Sequence, residues 1–467
     1  MLQALVVGGG LVGLLIGGSV VSVGQECGGD PPDFEDAIVF ATNRWDPNGI
    51  ALGDIDSDGD LDLAIASEEL ASTFYVMIYR NNGVWQAPNV SGFVHHQNVE
   101  VGDDTYTLAP HEIAFAHLDG DGYIDLAVSM QKRPAHVYRN SGPAQCDELG
   151  TYRFCAYPDF EMPVSGHGYG LVAADFDHDG LADVAVATPE PHEQIDFNSR
   201  DRVYVGFMAG ADGFDRAYEF DLNLRDDSGD FSFDIVAGEF WGPYEPGGGG
   251  DGPESITSLD LITSNPGKRQ VGQENLDETI SLLKNRLGDP WRFEVAAPLS
   301  HDSHNWIFER IASGRLRGEA LNDDVVAVDT ASQAIHVLHP DGFGVFAYDD
   351  SALSGDVYGL NEICPNPSGI AIGHINPKSD ELDVVVSCAG EDDGADPGIV
   401  AFRGCGDGTL SRDASYFPMP LAFRPPPLMT DEGVMQVTIG DVNGDGYNDI
   451  VVGCRASNEI VVHLNRG

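Results

Sequence analysis

The chain has 467 residues, of which 76 are acidic and 24 are basic, so its formal net charge at pH 7 is −52. A charge of this size repels nucleic acid and anionic membrane surfaces, and the sequence therefore excludes both as partners. The length allows two or three ordinary domains, but an internal repeat runs through the chain and indicates a single one.

The first residues of the chain are apolar. Residues 2–23 are rich in glycine. The stretch Ser22-Val23-Gly24 has small residues at both positions that a signal peptidase recognises at its cleavage site. We expect a signal peptide at residues 1–24 and a mature protein that is secreted, periplasmic or held at the cell surface. A membrane anchor stays an alternative, because the apolar run is long enough to span a bilayer.

Seven cysteines fit an exported protein with disulfide bonds, and the odd number leaves at least one thiol over. Cys146 and Cys155 flank a short segment that could fold back as a hairpin, so they are the first predicted pair. Cys364 with Cys388 is the second.

Four loops carry the same spaced oxygen side chains, a Gly for a sharp turn and a closing Asp. These are the features that a hard cation such as Ca²⁺ needs from one short loop. An EF-hand is excluded, because the twelfth position of the last loop is Val452 and the flanking runs are short and β-branched. The predicted metal-binding positions are Asp54, Asp56, Asp58, Asp60 and Asp62; Asp119, Asp121, Tyr123 and Asp125; Asp175, Asp177, Asp179, Leu181 and Asp183; and Asp441, Asn443, Asp445, Tyr447 and Asp449.

The first, third and last of these loops are therefore expected to bind Ca²⁺. In the second loop His117 takes the first position, so a turn without metal stays an alternative there.

The loops belong to a longer repeat, because a short apolar run follows each of them and three further copies keep the runs without the loop. Aligning the final Asp of every copy gives positions 62, 125, 183, 260, 324, 383 and 449, with a mean period of (449 − 62)/6, about 64 residues. At these residues the sequence resembles the FG-GAP/VCBS repeat family, whose repeats also form the heads of integrin α-subunits. The resemblance covers the chain after about residue 33. It implies an all-β fold, a seven-bladed β-propeller of four-stranded antiparallel blades at residues 25–467.

The two ends of the chain are expected to meet in one blade. The chain stops after the third strand of the seventh repeat, whereas Phe34–Thr42 is a strand with no repeat of its own. The N-terminal strand therefore completes the last blade and closes the ring, which leaves no exposed sheet edge between the first and last blades and favours a monomer.

In a propeller the residues just before each first strand surround the mouth of the central channel, on the face opposite the metal loops. Here these positions include histidines and aromatic residues from different repeats, which suit a carbohydrate ring or another amphipathic ligand. A plug of the channel is the structural alternative for each of them. The predicted ligand-binding residues are His111, His167, Tyr169, His304 and Trp306.

Two functions from different classes follow from this arrangement. The first is a secreted, calcium-stabilised propeller that binds a glycan or protein ligand and performs no chemistry, since the sequence has no nucleophile elbow, redox motif or HExxH site. The alternative is a lyase of uronate-containing polysaccharides, with His167 and Tyr169 as base and acid. A rigid adhesion module is a third interpretation.

Overall fold

The computed structural model of the chain describes residues 15–16, 19–20, 32–42, 46–68, 73–86, 91–103, 109–130, 133–140, 142, 153–155, 158–162, 168–188, 202–222, 233–241, 258–265, 279–286, 293–295, 299–300, 307–318, 322–340, 357–360, 363–389, 397–411, 414–418, 435–455 and 457–467. Near the N-terminus two short strands, Leu15–Ile16 and Ser19–Val20, pair antiparallel with each other. The rest of the predicted signal peptide or anchor lies outside the described residues. Within those residues no helix has the length and apolar character needed to cross a membrane.

Seven four-stranded antiparallel sheets follow one another along the chain, as the repeats predict. In each blade the first strand pairs with the second, the second with the third and the third with the fourth. The helical element among the described residues is the 3₁₀ turn Gly210–Asp212.

The strands of blades one to four are Asp46–Gly53, Asp62–Glu68, Thr73–Asn81 and Phe93–Asp103; Pro110–Ala116, Asp125–Met130, Arg133–Tyr138 and Phe160–Glu161; Leu171–Ala174, Asp183–Thr188, Arg202–Met208 and Phe214–Asp221; and Asp234–Gly238, Asp260–Asn265, Thr279–Asn285 and Phe293–Val295, with Leu299–Ser300 beside the third strand. Those of blades five to seven are Phe308–Gly314, Asp324–Asp329, Ala334–Leu338 and Val357–Gly359; Pro367–Gly373, Asp383–Cys388, Gly398–Phe402 and Ser415–Pro418; and Met435–Gly440, Asp449–Cys454, Glu459–His463 and Ile38–Ala41.

The first strands form the inner ring of the propeller. Each of them contacts the first strand of the next blade, and the first strand of blade seven contacts that of blade one. We call the side of the ring where these strands begin the mouth face, and the side where they end the loop face. The second strands lie next in each sheet and are almost entirely buried, because their two faces pack against neighbouring blades.

All seven blades share one register. The last residue of each first strand lies opposite the final Asp of the repeat, as in Gly53 with Asp62 and Gly314 with Asp324. A Cβ atom added at Gly53 would lie 2.9 Å from Phe115 Cδ2 in the next blade, so glycine is required for the close approach of the blades there.

The N-terminal strand completes blade seven, which confirms the predicted closure. Ile38–Ala41 pairs antiparallel with the third strand, with Ile38 opposite Val462, and Phe34 forms a further bridge to Asn465. Ile38 is fully buried in a core that also contains side chains of blade one. Ile38 and Val462, which are 462 − 38 = 424 residues apart, therefore share one sheet and one core, and no open edge separates blades one and seven.

The predicted bond between Cys364 and Cys388 is present, with the two Cα atoms 5.1 Å apart. Cys155 and Cys405 are also disulfide-bonded. Cys146, the predicted partner of Cys155, lies outside the described residues. Cys454 retains its thiol, and burial raises the pKa of that thiol to about 12.

The final Asp of each repeat joins the metal loop to the third strand. In blade one, the two carboxylate oxygens of Asp62 accept the backbone N–H groups of Ile55, at 2.9 Å, and Asn81, at 2.7 Å. Blade four repeats this arrangement, with Asp260 accepting from Trp241 at 2.7 Å and Asn285 at 2.8 Å. We call this arrangement the aspartate clasp. Equivalent pairs of backbone bonds are made by Asp125, Asp183, Asp383 and Asp449.

In four blades an Asn after the clasp also connects neighbouring blades. The side-chain amide of Asn140 donates to the Ile55 carbonyl at 2.7 Å, which ties blade two to blade one. Asn81, Asn285 and Asn465 make the same bond to Val442, Phe176 and Ile375. In these four blades the clasp is therefore connected to the neighbouring blade.

We expect Asp260→Asn to destabilise the fold by about 1–3 kcal/mol, because one of the two buried oxygens becomes an NH₂ group that faces a backbone N–H. The sequence of blade four lacks the spaced acids of the metal loops, so we expect this loss to be independent of metal. Asp215→Asn, at an exposed position of blade three, serves as the control. Urea denaturation of both variants in the presence of a chelator measures the effect, and an unchanged midpoint for Asp260→Asn would show that the clasp carries little stability.

Ile38→Asp should prevent closure of blade seven, because it places a charge in the core between blades seven and one at a cost of several kcal/mol. Ala41→Asp, at an exposed position of the same strand, keeps the pairing and should behave like the wild type. Size-exclusion chromatography and circular dichroism measure the outcome. A monomeric Ile38→Asp protein with wild-type stability would contradict the observed closure.

Candidate functional site

The loops that leave the first strands of blades one, three and seven have the same backbone hydrogen bonds. In blade one, Asp54 accepts the N–H of Asp58 at 3.0 Å through Oδ1 and that of Gly59 at 3.1 Å through Oδ2. Asp175 and Asp441 accept from the equivalent residues Asp179, Gly180, Asp445 and Gly446. The glycine of each loop has a φ near 90°, a left-handed conformation that few other residues adopt.

The carboxylates of blades one and three come together in groups of three. Oxygen atoms of Asp54, Asp56 and Asp58 lie within 4.8 Å of one another, and so do oxygens of Asp175, Asp177 and Asp183. Carboxylates at this distance repel one another unless a cation lies between them. Hard oxygen ligands from one short loop fit Ca²⁺, with the carbonyl of the seventh position as a further ligand.

Blade seven has a similar loop in which one carboxylate is replaced by an amide. Asn443 accepts the N–H of Asp445 at 2.9 Å and donates to the Asp445 carboxylate at 3.0 Å. Asp445 in turn accepts the N–H of Tyr447 at 2.9 Å. The amide oxygen of Asn443 is also a suitable calcium ligand, so this set fits the ion with one charge fewer.

Blade two has a different loop. His117 Nδ1 lies 3.0 Å from the carbonyl oxygen of Tyr123, which is the seventh-position oxygen that a calcium ion would use. The carboxylate of Asp119 forms an ion pair with Arg139. Among the described residues, the groups of three acidic side chains lie in blades one and three and not here. In the blade-two loop, His117 and Arg139 thus contact two of the oxygens that a calcium ion would use.

In blades one and three, too, the carboxylate at the third loop position pairs with an arginine side chain. Arg80 pairs with Asp56, and Arg216 Nη2 lies 3.0 Å from Asp177 Oδ2. These contacts balance one carboxylate of each group and leave the others for a cation.

Burial of the final Asp raises its pKa in each acidic loop. The pKa is about 6 for Asp62, about 8 for Asp183 and about 7 for Asp449, with burial as the largest cause and the carboxylates of the same loop adding to it. The pKa of Asp125 in blade two is also raised to about 6, by burial and by Asp119. A neighbouring cation would offset this cost of ionisation.

In blades five and six, protein groups occupy the loop positions that acids hold elsewhere. Arg315 lies 2.9 Å from Glu239 and Arg317 lies 2.7 Å from Asp324. In blade six His374 Nδ1 lies 3.1 Å from the Glu381 carbonyl. In blades five and six these loop positions therefore make contacts within the protein.

Two of the residues predicted at the axial mouth lie together. The rings of His111 and Tyr169 are stacked, with centroids 4.2 Å apart and an angle of 18° between their planes. Phe233 continues this row from blade four, 5.6 Å from Tyr169, and Arg310 of blade five lies over the Phe233 ring at 4.8 Å. His167, His304 and Trp306, the other predicted residues of the mouth, lie outside the described residues.

An ion pair crosses the channel at the same level. Arg310 Nη1 lies 3.4 Å from Glu112 Oε2 and 4.0 Å from Asp234 Oδ1. Arg310 belongs to blade five and Glu112 to blade two, so their contact must pass over the axis of the ring. Asp234 is also held by the backbone N–H groups of Ile235 and Ile311.

The mouth is electrostatically unusual, because two carboxylates share one arginine. Burial raises the pKa of Glu112 to about 8, and the charge of Asp234 adds to the shift while Arg310 opposes it. The pKa of Asp234 is raised as well, mainly by burial. With both acids ionised the three side chains carry a net charge of −1.

Sequence reasoning missed Glu112, Phe233, Asp234 and Arg310. The signal that could have found them is their position relative to the end of the first strand. Glu112, Asp234 and Arg310 each lie four residues before that end, and His111, Tyr169 and Phe233 each lie five before it. Side chains at one register in different blades converge on the axis.

Comparison with known proteins supports the repeat and the fold. Residues 117–186 match the sequence model of the FG-GAP-like repeat. No sequence among the curated proteins matches the chain.

Among solved structures, BBS1N, crystallised in complex with ARL6DN and soaked with mercury, is similar with a TM-score of 0.51 and 11% identity, over 92% of this chain and 96% of that one. Sqt1 of Saccharomyces cerevisiae has a TM-score of 0.48 and 8% identity, over 91% and 97%. At 11% identity the likeness to BBS1N concerns the fold alone. The seven sheets and the family match identify the chain as a seven-bladed β-propeller that contains an FG-GAP-like repeat.

Proposed function

We propose that this protein is a secreted, calcium-stabilised β-propeller that binds a carbohydrate or protein ligand at its axial mouth. The observation that carries the proposal is the convergence of an aromatic row and three charged side chains from four blades at one level of the channel. Concave sites with aromatic walls and a few placed polar groups are typical ligand sites in proteins.

The calcium part of the proposal rests on the grouped carboxylates of blades one and three and on the matching backbone of blade seven. A cation in these loops would hold together the end of a first strand and the start of a second. Its role is structural, because each loop lies on the loop face while the mouth lies at the other end of the strand.

The charges at the mouth favour binding over polysaccharide cleavage. A lyase that acts on uronates needs a positive group to neutralise the substrate carboxylate. Here Arg310 lies against Glu112 and Asp234, so its charge is already balanced by two acids. An anionic sugar would meet an arginine that is already paired with acids, on a protein whose formal charge is −52.

A glycan and protein-ligand screen in calcium-containing buffer tests the function, with Tyr169→Ala as the mouth variant. Tyr169 contributes an aromatic face to the row, so its loss should weaken binding at least about tenfold. Incubation with polygalacturonate and alginate, followed by ultraviolet absorbance of unsaturated products, tests the lyase alternative. Turnover of either polymer, or a screen in which Tyr169→Ala weakens the binding of no ligand, would contradict a binding site at the mouth.

Chelation should lower the melting temperature, and Asp58→Ala should remove more of the calcium effect than Asp121→Ala. Both residues accept one backbone N–H within their loops, but only Asp58 belongs to a group of three carboxylates. Loss of one site would remove about 2.7 kcal/mol at a calcium concentration one hundred times the Kd. Calorimetry with and without calcium measures how much calcium raises the melting temperature of each variant. Equal increases in the two variants would contradict a metal site in blade one.

Glu112→Gln should reduce the dependence of stability on pH. The pKa of Glu112 is about 8 in the folded protein, compared with 4.5 for an ordinary Glu, so its stabilising contribution is complete below 4.5 and is lost as the pH rises through 8. The wild type should therefore lose more thermal stability than Glu112→Gln between about pH 5.5 and 8.5. Parallel melting curves for the two proteins would contradict the raised pKa.

A further inference from the structure

A cleft on the loop face lies between blades six and seven. It has a volume of about 200 Å³ and is lined by His374, Ile375, Asn376, Pro377, Ser379, Asp380, Gly446, Tyr447 and Asn448. The first six residues belong to the loop of blade six, which has no acidic cluster, and the last three belong to the acidic loop of blade seven. The cleft is therefore far from the axial mouth, at the opposite end of the first strands.

Hydrogen bonds between the two blades fix the walls of this cleft. The side-chain amide of Asn448 donates to the His374 carbonyl at 2.9 Å, and that of Asn465 donates to the Ile375 carbonyl at 2.7 Å. Within blade six, Ser379 Oγ accepts the N–H of Glu381 at 3.1 Å, and Asn376 Oδ1 accepts that of Lys378 at 3.0 Å. Preformed walls of this kind reduce the entropy that binding would cost.

The chemistry of the lining combines one aromatic ring with several hydrogen-bonding groups. Tyr447 has 38% of its surface exposed, which is unusual for a large side chain in this protein. Its ring packs on the C-terminal backbone, since a Cβ atom added at Gly467 would lie 2.5 Å from Tyr447 Cε2. Asp380 and His374 are exposed beside it and add a carboxylate and an imidazole. A ring held firmly at the surface with polar neighbours suits the apolar face and hydroxyl groups of a sugar.

The charge and size of the cleft narrow the ligand class. No Lys or Arg is among the residues that line it, so the lining favours a neutral ligand over a phosphate or carboxylate group. A cleft of about 200 Å³ has room for one sugar ring.

The matching junction between blades two and three is filled. Leu181 occupies the loop position of Tyr447, and a Cβ atom added at Gly120 would lie 3.0 Å from Leu181 Cδ2. The open space between blades six and seven is thus not shared by the junction of blades two and three.

We propose that the cleft between blades six and seven binds a single neutral pyranose residue of a glycan, stacked on Tyr447 and hydrogen-bonded by Asp380. This site is independent of the ligand proposed for the mouth, and it adds a second recognition surface on the other face of the propeller.

Saturation-transfer NMR with the methyl glycosides of glucose, galactose, mannose, fucose and N-acetylglucosamine, in calcium-containing buffer, tests the proposal. At least one glycoside should bind the wild type, and its Kd should rise about tenfold or more in Tyr447→Ala and in Asp380→Ala. Asp380 is exposed, so the second variant should fold normally even if the first does not. The absence of binding to the wild type by all five glycosides would overturn the proposal.

Tyr123→Ala serves as the control. Tyr123 holds the equivalent position in blade two and packs on Gly142 as Tyr447 packs on Gly467, but it does not line the cleft. Tyr123→Ala should therefore keep the glycoside signal. Equal loss in Tyr123→Ala would mark a general effect on the loops, and a signal that is lost in Tyr169→Ala but kept in Tyr447→Ala would place the sugar at the mouth; either result would refute the cleft site.

Discussion

The fold depends on a buried carboxylate that holds two backbone segments together. In six blades the final Asp of the repeat accepts one N–H from the loop and one from the end of the third strand, and it is almost completely buried. In blade five Asp324 accepts the N–H of Arg317 and pairs with the side chains of Arg317 and His339 instead. A buried acid is costly unless its oxygens are satisfied, so the loop must return to the same place in every blade. The Asn residues that follow four of the clasps extend this constraint to the neighbouring blade, which fixes the spacing of the ring.

One strand in each blade connects the loop face with the mouth face. His111 and Glu112 lie five and four residues before the end of their first strand, so roughly 15 Å of extended chain separates the mouth from the loop. The fixed register at the loop therefore sets the height at which each mouth side chain projects. This explains how Arg310 and Glu112, which are 198 residues apart, meet across the axis. It also explains why glycine lies at the same register in blades one and three: Cβ atoms at Gly49 and Gly170 would lie 2.6 and 2.7 Å from backbone atoms of the next blade.

Most of the fold could be predicted from the sequence, because the signals are local and repeated. Alternating strands and a closing Asp recur seven times, and the unmatched strand at Phe34–Thr42 could only complete the last blade. The role of the final Asp was harder to predict. Asp260, Asp324 and Asp383 remain in loops that have lost the other acids, and this pattern already points to a structural role beyond metal binding. At the mouth, His111 and Tyr169 could be predicted from their position before a strand. Glu112 and Arg310 could not, because their contact depends on strand ends that the sequence does not define to one residue.

A metal ion and an arginine side chain are two ways to neutralise the carboxylates of the same loop. Blades one and three gather carboxylates that a cation would neutralise, whereas blade five places Arg315 and Arg317 beside its acids. With calcium in the acidic loops, as proposed, its removal should destabilise the ring unevenly, since Arg315 and Arg317 remain beside the acids of blade five. The charged and aromatic side chains of the mouth come from blades two to five, and among the described residues of these blades the group of three carboxylates lies in blade three. The cleft beside Tyr447, in contrast, shares its wall with the acidic loop of blade seven, so a calcium ion in that loop would stabilise one wall of the cleft.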